Sequence, residues 1–149
     1  MPARPDLGAA FVVHTRSLTE TGALVGNRVS LRLRTRTNKD PNGWVMPTYA
    51  IVWRRVPGPS GQRNGTTPVA QIPMQYECYG PDMRTADLLA RTLLAELFPD
   101  PPVSQGFKAA NCAVFDMQEM GSPAQLQESE TDLPRVVGTL LVRYLERPV

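Results

Sequence analysis

The fold turns on residues 69–99, VAQIPMQYECYGPDMRTADLLARTLLAELFP. Its first half alternates. Ala70, Ile72, Met74, Tyr76 and Cys78 fall on one side, and Gln71, Gln75 and Glu77 on the other. Period-2 alternation over this length predicts a strand with one buried face. Pro73 has no N–H to give a ladder, so it predicts an edge position or a bulge. After Gly80-Pro81 the period changes. Ala86, Leu89, Ala90, Leu93, Leu94 and Leu97 form one helical stripe, Asp82 is placed to cap it, and Pro99 ends it. Asp87 and Arg91 stand in the favourable i, i+4 order. A long apolar-faced strand running directly into an apolar-faced helix predicts a sheet with a helix laid across it.

The flanking sequence extends that picture. Residues 6–18 carry Leu7, Ala10, Phe11, His14 and Leu18 on one helical face. Residues 19–27 read as a turn-rich connection. Residues 28–36, RVSLRLRTR, alternate again. Val29, Leu31 and Leu33 predict a core face, and Arg28, Arg32, Arg34 and Arg36 predict a polar one. Residues 37–47 are loop, and 48–56, TYAIVWRRV, read as a buried strand pairing with the arginine strand as a long-tipped hairpin. Residues 57–68 are rich in Gly and Pro and predict a loop. Two strands close the chain, 111–120 with Ala113, Phe115 and Met117 inward, and 135–146, apolar on both faces. A polar, acidic connection joins them. The order α-β-β-β-α-β-β predicts an α+β fold over residues 1–149 as a single domain. Its sheet is mixed or largely antiparallel, of about five strands, with one or two helices packed on one face.

Composition narrows the function. The chain has 149 residues, enough for one self-sufficient core, and a formal net charge of +2. Its pI near 8.7 is below the value above ~9 expected of a dedicated nucleic-acid-binding domain. The arginine face of 28–36 holds no aromatic on which a base would stack, and Trp53 alternates with Tyr49 and Ile51 toward the core. Cys78 and Cys112 read as reduced thiols and make no disulfide framework. No signal peptide and no membrane-spanning run is evident, which predicts folding in a cytoplasm. The sole histidine, His14, sits on an apolar helix face. No metal-ligand spacing, phosphate loop, nucleophile motif or paired carboxylates appear, and Glu77 and Asp87 read as isolated acids. Nothing in these residues supports an enzyme or a cofactor site.

Four phrases carry a resemblance. ALVGNRVSLRL (23–33), MPTYAIVWRRVPG (46–58), IPMQYECYGPDMRTADLLARTLLAEL (72–97) and LPRVVGTLLVRYLE (133–146) follow one another as the elements of the tail terminator family of long-tailed bacteriophages do. The chain resembles that family across most of its length, departing from it in a longer hairpin at 110–134 and a proline-rich loop at 57–68. The resemblance implies a hexameric ring of identical subunits at the head–tail junction of the virion, assembled in the host cytoplasm. Its partners would be further copies of itself, the major tail tube protein and the head connector or stopper protein, with DNA passing through the lumen without sequence-specific contact. A head-completion or neck ring protein at the portal is the nearest alternative, and a nucleic-acid-binding protein a more distant one. On this reading Arg28, Arg32, Arg34 and Arg36 face a neighbouring subunit or the lumen. The loops present Lys39, Asn42, Arg63 and Asn64 on the basic side and Glu128, Glu130 and Asp132 on the acidic side as partner-facing groups.

Overall fold

A computed structural model describes residues 5–56, 62–63 (backbone only), 69–127 and 133–145. Among the described residues, three helices, α1 (Leu7–Ser17), α2 (Thr19–Val25) and α3 (Met83–Leu97), accompany eight strands. These are β1 (Val29–Ser30), β2 (Ala50–Arg55), β3 (Gln62–Arg63), β4 (Val69–Tyr79), β5 (Phe107–Ala109), β6 (Cys112–Glu119), β7 (Ala124–Leu126) and β8 (Arg135–Leu145). They form one mixed sheet in the order β1-β2-β4-β8-β6-β5, with β3 also paired to β4 and β7 to β8. The fold is α+β as expected, with more strands than the five anticipated.

The spine is the β4–β8 pair, antiparallel over eleven residues from Val69↔Leu145 to Tyr79↔Arg135. Ala70, Ile72, Met74, Tyr76 and Cys78 are buried, as their alternation predicts, and meet Val136, Leu140, Val142 and Tyr144 of β8 in one core. Helix α3 adds Ala86, Leu89, Ala90, Leu93 and Leu97, and α1 adds Leu7, Ala10 and Phe11. Asp82 closes a capping box with Thr85 at the start of α3, and Asp6 caps α1 by accepting from Ala9 N–H. Arg91 Nε lies 2.9 Å from Asp87 Oδ2, the exposed i, i+4 pair expected. Trp53 is fully buried against Phe11 and Tyr76. Its indole N–H donates to Thr15 Oγ1 at 3.0 Å, and that hydroxyl donates to Phe11 C=O.

Several expectations are overturned. Residues 19–27 hold helix α2, whose N-cap, Leu18, has no side chain able to accept. The cap comes from another helix instead. Glu96 of α3 accepts from Thr21 N–H (2.6 Å), Thr21 Oγ1 (2.7 Å) and Glu20 N–H (3.3 Å). A cap lent from 75 residues away leaves no local signal. Desolvation alone would raise the Glu96 pKa, but the hydrogen bonds from Thr21 and the α2 backbone outweigh it and hold it below the usual range. Glu96→Ala is expected to cost about 1 kcal/mol, read as a lowered midpoint in urea. Because the folded pKa is depressed, this contribution is present above the usual carboxylate pKa. It is lost as pH falls through the folded one, so the wild-type and Glu96→Ala midpoints converge in acid.

Pro73 is not on an edge strand. β4 lies between β2 and β8, but two separate strands share its β2 flank. β2 pairs with residues 74–79, and β3 pairs with Ala70 and Gln71. Val56 N–H donates to Pro73 C=O at 3.3 Å, so the face that would need a proline N–H opens on the gap between β2 and β3. Phe115, expected inward, is 46% exposed. A β-bulge between Val114 and Asp116 shifts the register, so Cys112, Val114 and Met117 take the core side. The exit from α3 contains β5, and the acidic connection contains β7.

The arginine stretch departs furthest. Only Val29–Ser30 is strand, and it pairs parallel with β2, Val29↔Ile51 and Ser30↔Val52, not as an antiparallel hairpin. Beyond Leu31, which still touches α1 at Gly8, the chain leaves the helix side of the sheet. Leu33 and Met46 pack beneath a second, smaller cluster of Trp44, Ala50, Val52 and Tyr79, on the face of β2 opposite the helices. Trp44, a large apolar ring inside a turn-rich loop, is buried in this cluster and anchors the segment on that face. Burying an aromatic ring of this size is favourable by a few kcal/mol at most, ~2–3, which is enough to hold a loop on the sheet.

Candidate functional site

With the strand gone, the four arginines no longer share a face. Arg28 Nε donates to Tyr49 C=O at 2.7 Å, and its terminal nitrogen to Leu24 C=O at 3.1 Å, tying the end of α2 to the entry of β2. Arg34 holds Asp40 through Nε (3.3 Å) and a terminal nitrogen (3.0 Å), and Arg36 Nε reaches Gly43 C=O at 3.3 Å. Both brace the lobe formed by residues 34–44, which Arg36 N–H to Trp44 C=O also closes. Such a half-exposed pair contributes about 0–1 kcal/mol, so the bracing is a matter of shape more than stability. Arg32 alone is exposed with no partner among the described residues. Lys39 and Asn42 are exposed at the tip of the same lobe. Gln62–Arg63 pairs its backbone with β4, but the Arg63 side chain, Asn64, Glu128, Glu130 and Asp132 lie outside the described residues.

Glu77 is not an isolated acid. It is 9% exposed on the face of the sheet away from the helices. Tyr79 Oη donates to it at 2.7 Å, Arg54 Nε stands 3.2 Å away, and Gln75 Nε2 donates at 3.4 Å. Burial and then the Glu77 hydrogen bond push the Tyr79 phenol above its ordinary value, which keeps it a neutral donor. Glu77, Tyr79 and Gln75 share the β4 face by simple alternation. Arg54 arrives through the register Val52↔Glu77 and Arg54↔Gln75. The single sequence shows the first part of that arrangement but not the second. His14 stacks flat on Phe107, ring centroids 3.8 Å apart, and burial lowers its pKa against the opposing pull of Glu96. This is packing of α1 onto β5.

A cleft of ≈ 450 Å³ opens at the flank of β2. Gly8 of α1 and Leu31 wall it, Trp53 and Met74 form its floor, and Arg55 lies at its rim. A Cβ at Gly8 would stand 2.9 Å from Leu31 Cδ2, so glycine permits this close approach. The cleft exists because β1 stops early. Ile51 N–H donates to Arg28 C=O at 2.9 Å, so the odd-numbered residues of β2 aim their backbone groups at the β1 side. β1 ends opposite Val52, and past it Trp53 C=O and the N–H and C=O of Arg55 point outward, with no backbone partner among the described residues. The far end of the sheet differs in character. There Val103, Phe115 and Met120 are exposed around β5 and the outer flank of β6. A scan against protein-family models and a search of the curated proteins return no match to this chain.

Proposed function

We propose that this chain is the subunit of a phage tail terminator ring. The ring ends growth of the tail tube and presents the tail-side surface that joins the head connector. It sits at the head–tail junction of the virion and leaves its lumen open to DNA. The observation that supports this reading best is the distribution of exposed apolar side chains. Leu31 and Val45 follow the β1 end of the sheet, Val103, Phe115 and Met120 belong to the β5–β6 end, and Val13 of α1 and Leu88 of α3 are the other large apolar side chains exposed among the described residues. Two unlike adhesive flanks at opposite ends of one sheet suit a head-to-tail contact between identical copies, which closes into a ring when the rotation per subunit allows. The resemblance of residues 23–33, 46–58, 72–97 and 133–146 to terminator sequences supplies the rest. The polar lobe carrying Lys39 and Asn42 is a surface on which charge steers and registers a docking partner.

Mixing the purified protein with polymerising tail tube protein tests the reading. A terminator is expected to bind tube ends and to shorten the mean tube length as its molar ratio rises, seen by electron microscopy. Tubes that elongate unchanged would sink it. Binding to portal or connector rings without effect on tubes would instead identify a neck protein.

A further inference from the structure

We infer that the lobe of residues 32–43 is a binding surface for the phosphate backbone of a nucleic acid, held without reading its sequence. Such binding goes beyond the ring reading and does not require it. The charge of the chain is concentrated here. Arg32, Arg34, Arg36 and Lys39 against the single acid Asp40 give the lobe a net +3. The whole chain carries +2, so everything outside the lobe is net −1. A pI near 8.7 thus averages over a local cluster of cations, the electrostatic footprint of phosphate binding. The one acid does not oppose that cluster, because Arg34 holds Asp40 at 3.0 and 3.3 Å. Arg32 and Lys39 are exposed and have no partner among the described residues. Arg36 is engaged there only through Nε, with Gly43 C=O.

The lobe also holds these cations on a fixed backbone. Trp44 N–H donates to Arg34 C=O and Arg36 N–H to Trp44 C=O, which closes its base. Thr37 and Asp40 exchange backbone hydrogen bonds at 3.1 Å, and Gly43 N–H donates to Asp40 C=O at 3.1 Å, which folds its tip. Leu33, Trp44 and Met46 seat the base on the sheet. A backbone fixed in this way loses little freedom on binding. The surface chemistry then selects the ligand. Thr35, Asn38 and Asn42 are exposed beside the cations, hydrogen-bond donors of the kind that meet phosphate oxygens. An acidic protein partner would call for an apolar centre to the interface. The exposed Leu31 and Val45 lie beyond the two ends of the lobe, and between Thr35 and Gly43 the only apolar side chain is Pro41. Trp44 is 8% exposed and offers no ring on which a base could stack, so the contact is to the backbone and not to the bases.

The test measures binding of the full chain to fluorescently labelled DNA duplexes of two unrelated sequences, with duplex RNA and polyglutamate in parallel. Each phosphate contact contributes about −0.9 to the slope of log affinity against log salt, so three contacts predict a loss of about forty-fold between about 50 and 200 mM salt. The two DNA sequences should bind alike. Arg32→Gln combined with Lys39→Gln removes no hydrogen bond from the described fold. This variant is expected to bind at least tenfold more weakly at the lower salt, and its loss over the same salt range should shrink to about 3.5-fold, the effect of one remaining contact. Arg84→Gln combined with Arg91→Gln removes the same charge from exposed positions of α3 and should change affinity less than twofold. The duplex, DNA or RNA, that binds more tightly through the lobe is the preferred source of the backbone. Absence of binding at the lower salt, equal losses in the two double variants, or a tenfold preference between the DNA sequences overturns the assignment. Polyglutamate bound as tightly as DNA overturns it in favour of an acidic protein partner. A chain that caps tubes but binds no duplex refutes the lobe assignment alone. One that binds duplexes through the lobe while tubes elongate unchanged refutes the terminator reading alone.

Discussion

Trp53→Ala is expected to cost about 3–5 kcal/mol, the range for removing a fully buried indole from a packed core. For a domain of this size that lowers the thermal midpoint by roughly 10 °C or more. The side chain lies at 0% exposure between α1 and β4, its ring 4.6 Å from Phe11 and 5.8 Å from Tyr76, centroid to centroid. The space it fills cannot collapse easily, because α1 is held at its N-terminus by Asp6 and the register of β2 on β4 fixes the floor. The cost therefore includes most of the cavity penalty. Trp53→Phe separates the parts. It retains much of the volume and loses the N–H bond to Thr15, whose hydroxyl still donates to Phe11 C=O, so about 1–2 kcal/mol is expected. Urea unfolding followed by circular dichroism checks both. A Trp53→Ala midpoint within 1 kcal/mol of wild type would mean that α1 does not depend on β2 for its place. Trp53 also floors the β2 cleft, so the same variant would weaken any contact made there.

The residues that were legible in the sequence are those whose neighbours are local or whose pattern is periodic. β4 and α3 declare themselves because their buried positions repeat every 2 or 3.6 residues over eleven and fifteen residues. Trp53 reads as core because it alternates with Ile51. What escaped depends on partners far along the chain. α2 is capped by Glu96, and a seven-residue helix with its cap on another helix looks like a turn. The bulge at Phe115 is imposed by the register of β6 on β8, which alternation within β6 does not encode. The arginine stretch misleads for the same reason. Its period-2 pattern is real, but Trp44, Leu33 and Met46 pack with Ala50, Val52 and Tyr79 on the other face of β2, a partnership no local pattern encodes. Of the candidate site, the arginines were visible as residues. Their roles as braces for the 34–44 lobe were not, because Asp40 and the carbonyls of Gly43, Tyr49 and Leu24 are found only through the folded loop. The cleft was invisible, since it arises where a strand stops and not from any residue type.

Gly138→Val is expected to destabilise by about 3 kcal/mol, at the upper end of the range for overpacking a closed core. Gly138 lies opposite Tyr76 in the β4–β8 ladder, and a Cβ built on it would run into the Tyr76 Oη and Cζ atoms. The hydroxyl end of the phenol ring lies over the glycine, and Tyr76 is 1% exposed, with the Trp53 ring packed at 66° to it. In a central strand valine ordinarily raises β propensity, so the sign of this change separates packing from propensity. A double-mutant cycle isolates the cause. In a Tyr76→Leu background the ring is absent, and the added cost of Gly138→Val should fall to less than half its value in the wild-type chain. An undiminished cost would place the clash with the β8 backbone or another neighbour instead. Because β4–β8 is the spine on which β2, β3, β6 and β7 all pair, strain at this one row propagates to both flanks of the sheet. Gly138→Val is thus also expected to weaken any contact made at the β2 edge, even though residue 138 lies two strands away from it.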